Sequence, residues 1–149
     1  RALSSEKIKK YREEISLQLS LNKTGLKSDY AAELKICERH VDTPVNKNII
    51  FLLEIMNIAN KEWKQGEGDW IRVGCRIYEA QQSNDLPLTE LRQDLSKPIK
   101  KGEKLQAIFR ITIGSLPKGR YLVKFDMVNE FQFWFEEIGS VPLVENIEF

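Results

Sequence analysis

Short runs in which apolar and polar residues alternate constrain the fold of this chain more than any other feature. The clearest run is 104–113, where every second residue from Leu105 to Ile113 is apolar. Successive side chains of an extended strand point to opposite faces, so this run predicts a strand with one buried face. About seven such runs, with turn signals roughly every ten residues, predict an all-β fold, an Ig-like or jelly-roll-like antiparallel β-sandwich.

The predicted strands either alternate in this way or are continuously apolar. They cover 32–37, 49–58, 70–78, 104–113, 121–128, 131–137 and 144–149. The segments 121–128 and 131–137 are close enough in sequence to form a hairpin. Residues 81–98 are polar and contain prolines, and they are interpreted as a long loop or an irregular edge.

The first residues of the chain follow a different pattern. Between residues 4 and 19 the apolar residues recur at helical spacing, which predicts a short amphipathic N-terminal helix. These residues are Ile8, Tyr11, Ile15 and Leu19. A polar, glycine-containing linker follows, so we expect a helix and linker over 1–29 and the sandwich over 30–149. The apolar stripe needs a partner, which is the sandwich, a second copy of the chain or a preceding domain.

A second local signal supports the sandwich. Gly119 lies two residues before Tyr121, at the start of a predicted strand and after the turn that begins at Leu116. This is the arrangement of a tyrosine corner, in which the tyrosine hydroxyl bonds back to upstream backbone. We therefore expect the hydroxyl of Tyr121 to form a hydrogen bond with the backbone of the loop that precedes it.

The charge balance narrows the range of partners. The 149 residues include 23 Lys or Arg and 22 Asp or Glu, a formal net charge of +1. Non-specific nucleic-acid binding needs a basic excess, so no nucleic-acid partner is expected.

No apolar run approaches the ~18 residues of a membrane helix. The N-terminus also lacks the basic and apolar regions of a signal peptide.

The two cysteines, Cys37 and Cys75, both lie in apolar runs. With no CxxC spacing they do not predict a zinc site. Two readings remain: buried free thiols, which we favour, and a disulfide between neighbouring strands.

We find no sequence signature of catalysis. His40 is the only histidine, and neither a nucleophile elbow nor a GxxxxGK[ST] phosphate loop is present. No spacing selects a pair of carboxylates facing one cleft. The sequence therefore predicts a binding module without an enzyme activity or a cofactor.

The aromatic residues are the best candidates for a ligand site. Trp63 and Trp70 flank a turn, and Phe131, Phe133 and Phe135 alternate with Trp134 and Glu136. If the phenylalanines face the core, Trp134 points away from it. Aromatic faces stack on sugar rings, and nearby carboxylates bond the hydroxyls. The candidate site is Trp63, Trp70, Trp134 and Glu136; the alternative is that the tryptophans are structural.

Longer stretches resemble a known family of domains. Residues 116–130, Leu-Pro-Lys-Gly-Arg-Tyr-Leu-Val-Lys-Phe-Asp-Met-Val-Asn-Glu, and 133–140, Phe-Trp-Phe-Glu-Glu-Ile-Gly-Ser, resemble a "PxGxYxLxFDxVxExxxWFxxxGS" signature. The segment from Asn57 to Trp63 is similar to a "VxNxxxxxW" strand and turn. We associate these motifs with Ig-like accessory domains of bacterial polysaccharide-handling proteins, over about residues 30–149.

The resemblance implies a function. Residues 5–13 are similar to the helix that closes many ATP-binding subunits of ABC-type O-antigen exporters. The implied role is a C-terminal carbohydrate-binding domain that recognises the exported polysaccharide. It implies a cytoplasmic homodimer, held at the inner membrane through the transporter subunit of the parent complex. The alternatives are an accessory domain of a glycosyltransferase and a dimerisation module that binds no sugar.

Overall fold

The structure is a computed structural model that describes residues 6, 9–10, 29–42, 48–66, 68–81 and 86–148. The predicted N-terminal helix and linker therefore lie almost entirely outside the described residues. Residues 43–47, which follow the first predicted strand, also lie outside the described residues. Among the described residues, no helix is long and apolar enough to cross a membrane.

In the part of the chain that the structure describes, eight strands form two antiparallel sheets, which confirms the predicted β-sandwich. One sheet has the order β1-β2-β5 and the other the order β4-β3-β6-β7, with β8 also paired to β6. The bounds are β1 Ala32–Asp42, β2 Asn48–Asn57, β3 Ile71–Glu79, β4 Thr89–Asp94, β5 Lys104–Thr112, β6 Arg120–Asn129, β7 Phe133–Trp134 and β8 Leu143–Glu148.

The core lies between the two sheets, where the alternating apolar residues meet. Phe51 of β2, Phe109 of β5 and Phe125 of β6 are all buried. The Phe51 and Phe125 rings meet edge to face with centroids 5.2 Å apart, and Phe109 lies 5.6 Å from Phe125. Such contacts bind one sheet to the other beyond simple area burial. Each strand consequently presents its remaining residues on an outer face.

Residues 81–98, interpreted as a long loop or an irregular edge, contain β4, whose mixed polar sequence suits an edge strand with a single neighbour, β3. One strand prediction was wrong in detail. The predicted strand 131–137 is reduced to Phe133–Trp134, because a turn occupies its start and a 3₁₀ helix, Phe135–Ile138, follows. Gly139, at φ 104°, ends that helix in the left-handed conformation that glycine adopts easily.

The tyrosine corner is present. Tyr121 is buried, and its hydroxyl donates a hydrogen bond of 2.5 Å to the carbonyl oxygen of Pro117. This bond ties the turn before β6 to the sandwich, as the Gly-x-Tyr spacing predicts.

Both cysteines are free thiols, in differing environments. Cys75 is buried in β3, and burial raises the pKa of its thiol to about 12. Cys37 is exposed, so the expectation that it is buried was wrong. The pairing of β1 with β2 shifts register between Ile36 and Glu38, which leaves Cys37 as the extra residue of a bulge. Its burial was inferred from its place in an apolar run, whereas the alternation along 32–37 groups Cys37 with Glu33 and Lys35.

Candidate functional site

The outer face of the five-stranded sheet carries most of the candidate residues. Two sets of residues alternate along β3. The set that faces the core is Ile71, Val73, Cys75 and Ile77, and the other set is Arg72, Gly74, Arg76 and Tyr78. Because successive side chains of a strand point to opposite faces, this second set lies on the outer face. Residues from β4, β6 and the segment after β6 surround it.

Two exposed aromatic side chains stand at one end of this face. Trp70 precedes β3 and is 43% exposed, whereas Phe131 follows β6 and is 93% exposed. Their ring centroids are 5.9 Å apart and the rings are tilted by 45°. The guanidinium carbon of Arg72 lies 5.1 Å from the Trp70 ring centroid. We call Trp70 and Phe131 the aromatic pair.

The backbone of Phe131 is unusual for its residue type. The amide of Gln132 bonds to the carbonyl of Asn129 at 3.0 Å, which closes a four-residue turn. Phe131 is the third residue of that turn and has φ 64°. This conformation favours glycine, and a residue with a side chain pays a strain cost there. Since the ring is also almost fully exposed, neither turn preference nor burial accounts for a phenylalanine at this position.

The side chain of Asn129 links the turn that carries Phe131 to the segment that carries Trp70. It is fully buried, and its side-chain oxygen accepts a 2.9 Å hydrogen bond from the backbone amide of Trp70. The backbone amide of Glu130 donates to the carbonyl of Trp70, also at 2.9 Å. The side-chain amide of Asn129 donates to Asp69 at 3.0 Å. The turn before β3 and the turn after β6 are therefore fixed relative to each other.

Asp69 anchors the same arrangement through charge. Its carboxylate accepts a hydrogen bond from the hydroxyl of Tyr30 at 2.8 Å and forms an ion pair with Lys61 at 2.8 Å. Burial acts to raise the pKa of Asp69, but the hydrogen bonds from Lys61, Tyr30 and Asn129 outweigh it and hold the pKa below its usual value. The carboxylate therefore stays ionised and keeps Trp70 in place.

Trp134 lies over the middle of β3. A Cβ atom added to Gly74 would lie 2.5 Å from Cη2 of Trp134, so only glycine leaves room for the indole. The guanidinium carbons of Arg76 and Arg92 lie 3.9 and 4.4 Å from its ring centroid. Cation–π attraction holds the ring on the sheet, where it is half-buried.

Glu136 lies beside this tryptophan and joins two cations. It accepts hydrogen bonds from Arg76 at 2.9 Å and from Lys124 at 3.0 Å. Burial acts to raise the pKa of Glu136, but the bond from Lys124 and then that from Arg76 lower it below its usual value. Behind it, the fully buried Asp126 accepts bonds from the backbone amides of Met127 and Glu136, both at 2.9 Å.

Three of the four sequence-predicted site residues share the outer face: Trp70, Trp134 and Glu136. Trp63 is fully buried, and its indole N–H donates to the backbone carbonyl of Asp29. This position leaves Trp63 no surface for a ligand, so we remove it from the site. Phe131 takes its place, although alternation groups it with Phe133 and Phe135 on the face considered for the core.

The remaining candidates for chemistry are not assembled into a reactive centre. His40 is exposed, with its Nε2 atom 3.7 Å from a carboxylate oxygen of Glu38. Within the described part of the chain, no three His, Cys, Asp or Glu side chains are grouped so as to hold a metal ion. The arrangement on the outer face is that of a surface for binding, with flat apolar rings bordered by paired charges.

Comparison with known proteins adds little. No protein-family model and no curated protein matches the chain. Among solved structures, the β-glucosidase of Kluyveromyces marxianus in complex with glucose has a TM-score of 0.48 and 13% identity, covering 79% of this chain and 14% of that one. A mutant β-glucosidase of Listeria innocua in complex with laminaribiose has a TM-score of 0.47 and 15% identity, covering 78% of this chain and 16% of that one. At these values the likeness carries no argument about function.

Proposed function

We propose that this chain is a non-catalytic carbohydrate-binding domain. The observation that carries the proposal is the aromatic pair, in which Phe131 is exposed and held in a strained backbone conformation next to the exposed ring of Trp70. Strained residues persist where the surrounding structure fixes them, and they cluster at ligand sites. Here the buried side chain of Asn129 supplies that constraint.

The chemistry of the pair suits a sugar ring. The C–H face of a pyranose stacks on an aromatic face, and polar groups at the edge bond its hydroxyls. Arg72, Glu130 and Gln132 lie beside the two rings in sequence and supply a guanidinium, a carboxylate and an amide. The two rings are tilted by 45° and both are exposed, so each offers an apolar face to a sugar ring.

We further propose that the parent protein is the ATP-binding subunit of an ABC-type polysaccharide exporter. This setting rests on the resemblance of 116–140 and 5–13 to such domains. The domain would hold the glycan in the cytoplasm beside the transporter, and pairing as a homodimer would present two such sites. The ATPase residues would belong to another part of the parent protein.

The binding proposal is tested by titrating the purified chain with the surface polysaccharide of its source organism. Tryptophan fluorescence reports on Trp70, and calorimetry gives an independent signal. Phe131→Gly should abolish or strongly weaken the saturable change. Ile108→Ala, which alters an exposed apolar residue on the outer face of the other sheet, is the matched control and should bind normally.

Two results would contradict the proposal. If neither fluorescence nor heat changes on titration, the chain does not bind this polysaccharide, and a dimerisation module becomes the better account. If Ile108→Ala loses binding and Phe131→Gly does not, the glycan lies on the other sheet.

A further inference from the structure

The aromatic pair is one end of a longer feature. The β3 strip consists of the side chains on or over the outer face of β3, in order along the strand. These are Phe131, Trp70, Arg72, Trp134, Arg76 and Tyr78. We propose that the ligand is an extended, uncharged segment of polymer lying along this strip, and not a single terminal sugar or an acidic glycan. This inference rests on the proposed function and names the class of ligand that its site takes.

The strip is long and consists of flat groups. From Trp70 to Tyr78 the strand advances by eight residues, about 26 Å at roughly 3.3 Å per residue. Guanidinium carbons lie over ring systems at both of its tryptophans, 5.1 Å from Trp70 for Arg72 and 3.9 Å from Trp134 for Arg76. A strip of this length spans several consecutive sugar rings, whereas one terminal ring would cover only the aromatic pair.

The distribution of charge favours a neutral ligand. Four cations lie in the strip or beside it, and each is within 3.0 Å of a carboxylate. The pairs are Arg72–Asp94 at 3.0 Å, Arg92–Glu130 at 2.6 Å, Arg76–Glu136 at 2.9 Å and Lys124–Glu136 at 3.0 Å. An acidic sugar would have to break one of these pairs and would meet the displaced carboxylate. The hydroxyls of a neutral polymer can instead bond to the outer edges of pairs that stay intact.

The far end of the strip gives the sharpest test. Tyr78 is half-buried, and the ammonium nitrogen of Lys124 lies 5.6 Å from its ring centroid. It lies eight positions from Trp70, so a ligand confined to the aromatic pair cannot touch it. Tyr78→Thr removes the ring and keeps a residue with high strand propensity. Ile108→Ala again serves as the control on the other sheet.

The experiment uses oligosaccharides of graded length, from disaccharide to decasaccharide, released from the polysaccharide that binds in the titration. Calorimetry should show affinity rising by at least about tenfold over the series and then levelling off. Tyr78→Thr should lose most of that gain while binding the disaccharide as the wild type does. Polygalacturonate, an acidic polymer, should bind weakly at both low and physiological salt.

The contrary results separate this inference from the proposed function. If the disaccharide binds as tightly as the decasaccharide, the ligand is a short end and the inference is overturned, although glycan binding stands. If polygalacturonate binds more tightly than the neutral polymer and salt releases it, the neutral class is wrong. If no polysaccharide binds, the proposed function itself fails.

Discussion

Replacing Phe131 by glycine should separate the cost of this residue to the fold from its benefit to binding. At φ 64° a side chain costs about 1–2 kcal/mol relative to glycine. Replacement by glycine relieves this strain. Glycine also has more conformational freedom in the unfolded chain, which lowers the stability of the variant by about 0.4–1 kcal/mol. The ring is 93% exposed, so its contact with Trp70 adds at most about 0.5 kcal/mol to the fold. The expected stability of Phe131→Gly therefore lies between about 0.5 kcal/mol below and about 1.6 kcal/mol above that of the wild type.

Phe131→Ala is the matched variant. It removes the same ring but keeps a Cβ atom in the left-handed conformation, so only the backbone term separates it from Phe131→Gly. Urea unfolding followed by circular dichroism should place Phe131→Gly about 1 kcal/mol above Phe131→Ala. Both variants should lose polysaccharide affinity by at least about tenfold, because both lack the ring.

Either of two outcomes would refute this reasoning. A lower stability of Phe131→Gly than of Phe131→Ala would mean that residue 131 does not occupy the strained conformation. Normal polysaccharide binding by Phe131→Gly would mean that the fold tolerates the strain for a reason other than the glycan.

Three further substitutions test the structure around the site. Tyr121→Phe should cost about 1 kcal/mol in urea unfolding, because the bond to Pro117 is lost; an unchanged midpoint would contradict the tyrosine corner. Gly74→Ala should cost about 1–3 kcal/mol and shift tryptophan emission, because its Cβ atom displaces Trp134; a variant with wild-type stability and emission would contradict that packing. Asp126→Asn should be destabilised, since both carboxylate oxygens accept backbone amides. Burial raises the pKa of Asp126 to about 7 in the folded protein, above its value in the unfolded chain. Between about pH 4 and pH 7 the folded wild type therefore binds more protons than the unfolded chain, and its stability falls as the pH rises. The advantage of the wild type over Asp126→Asn should therefore shrink between about pH 4 and pH 7, and a gap that widens would reverse the assigned sign.

Strands with one face on the core could be read directly from the sequence. β5 is the clearest case, because its inner residues pack on the other sheet and its outer residues meet water. β4 could not be found in this way. Its sequence, Thr-Glu-Leu-Arg-Gln-Asp, has only one large apolar residue, Leu91, and its strand conformation depends on pairing with β3. Such a strand is specified by its neighbour and leaves no periodic signal of its own.

The candidate site was predicted in part. Alternation correctly predicted that Trp134 points away from the core, because residues 133 and 134 do form a strand, β7. The same argument failed for Phe131, since the turn that closes between Asn129 and Gln132 ends the alternation before it. Trp63 was misplaced because an isolated bridge with Ile99, far along the chain, draws it into the core. Pairing over such a distance is not encoded in local spacing.

The most direct test of glycan binding at the aromatic pair follows the indole N–H signals of the protein's three tryptophans by NMR during a titration with the polysaccharide. Trp70 is exposed on the proposed site, Trp134 lies farther along the same face, and Trp63 is fully buried. The account predicts that the signal of Trp70 shifts most and that of Trp134 shifts with it, while that of Trp63 stays in place. A stationary Trp70 signal at saturating polysaccharide would contradict the account.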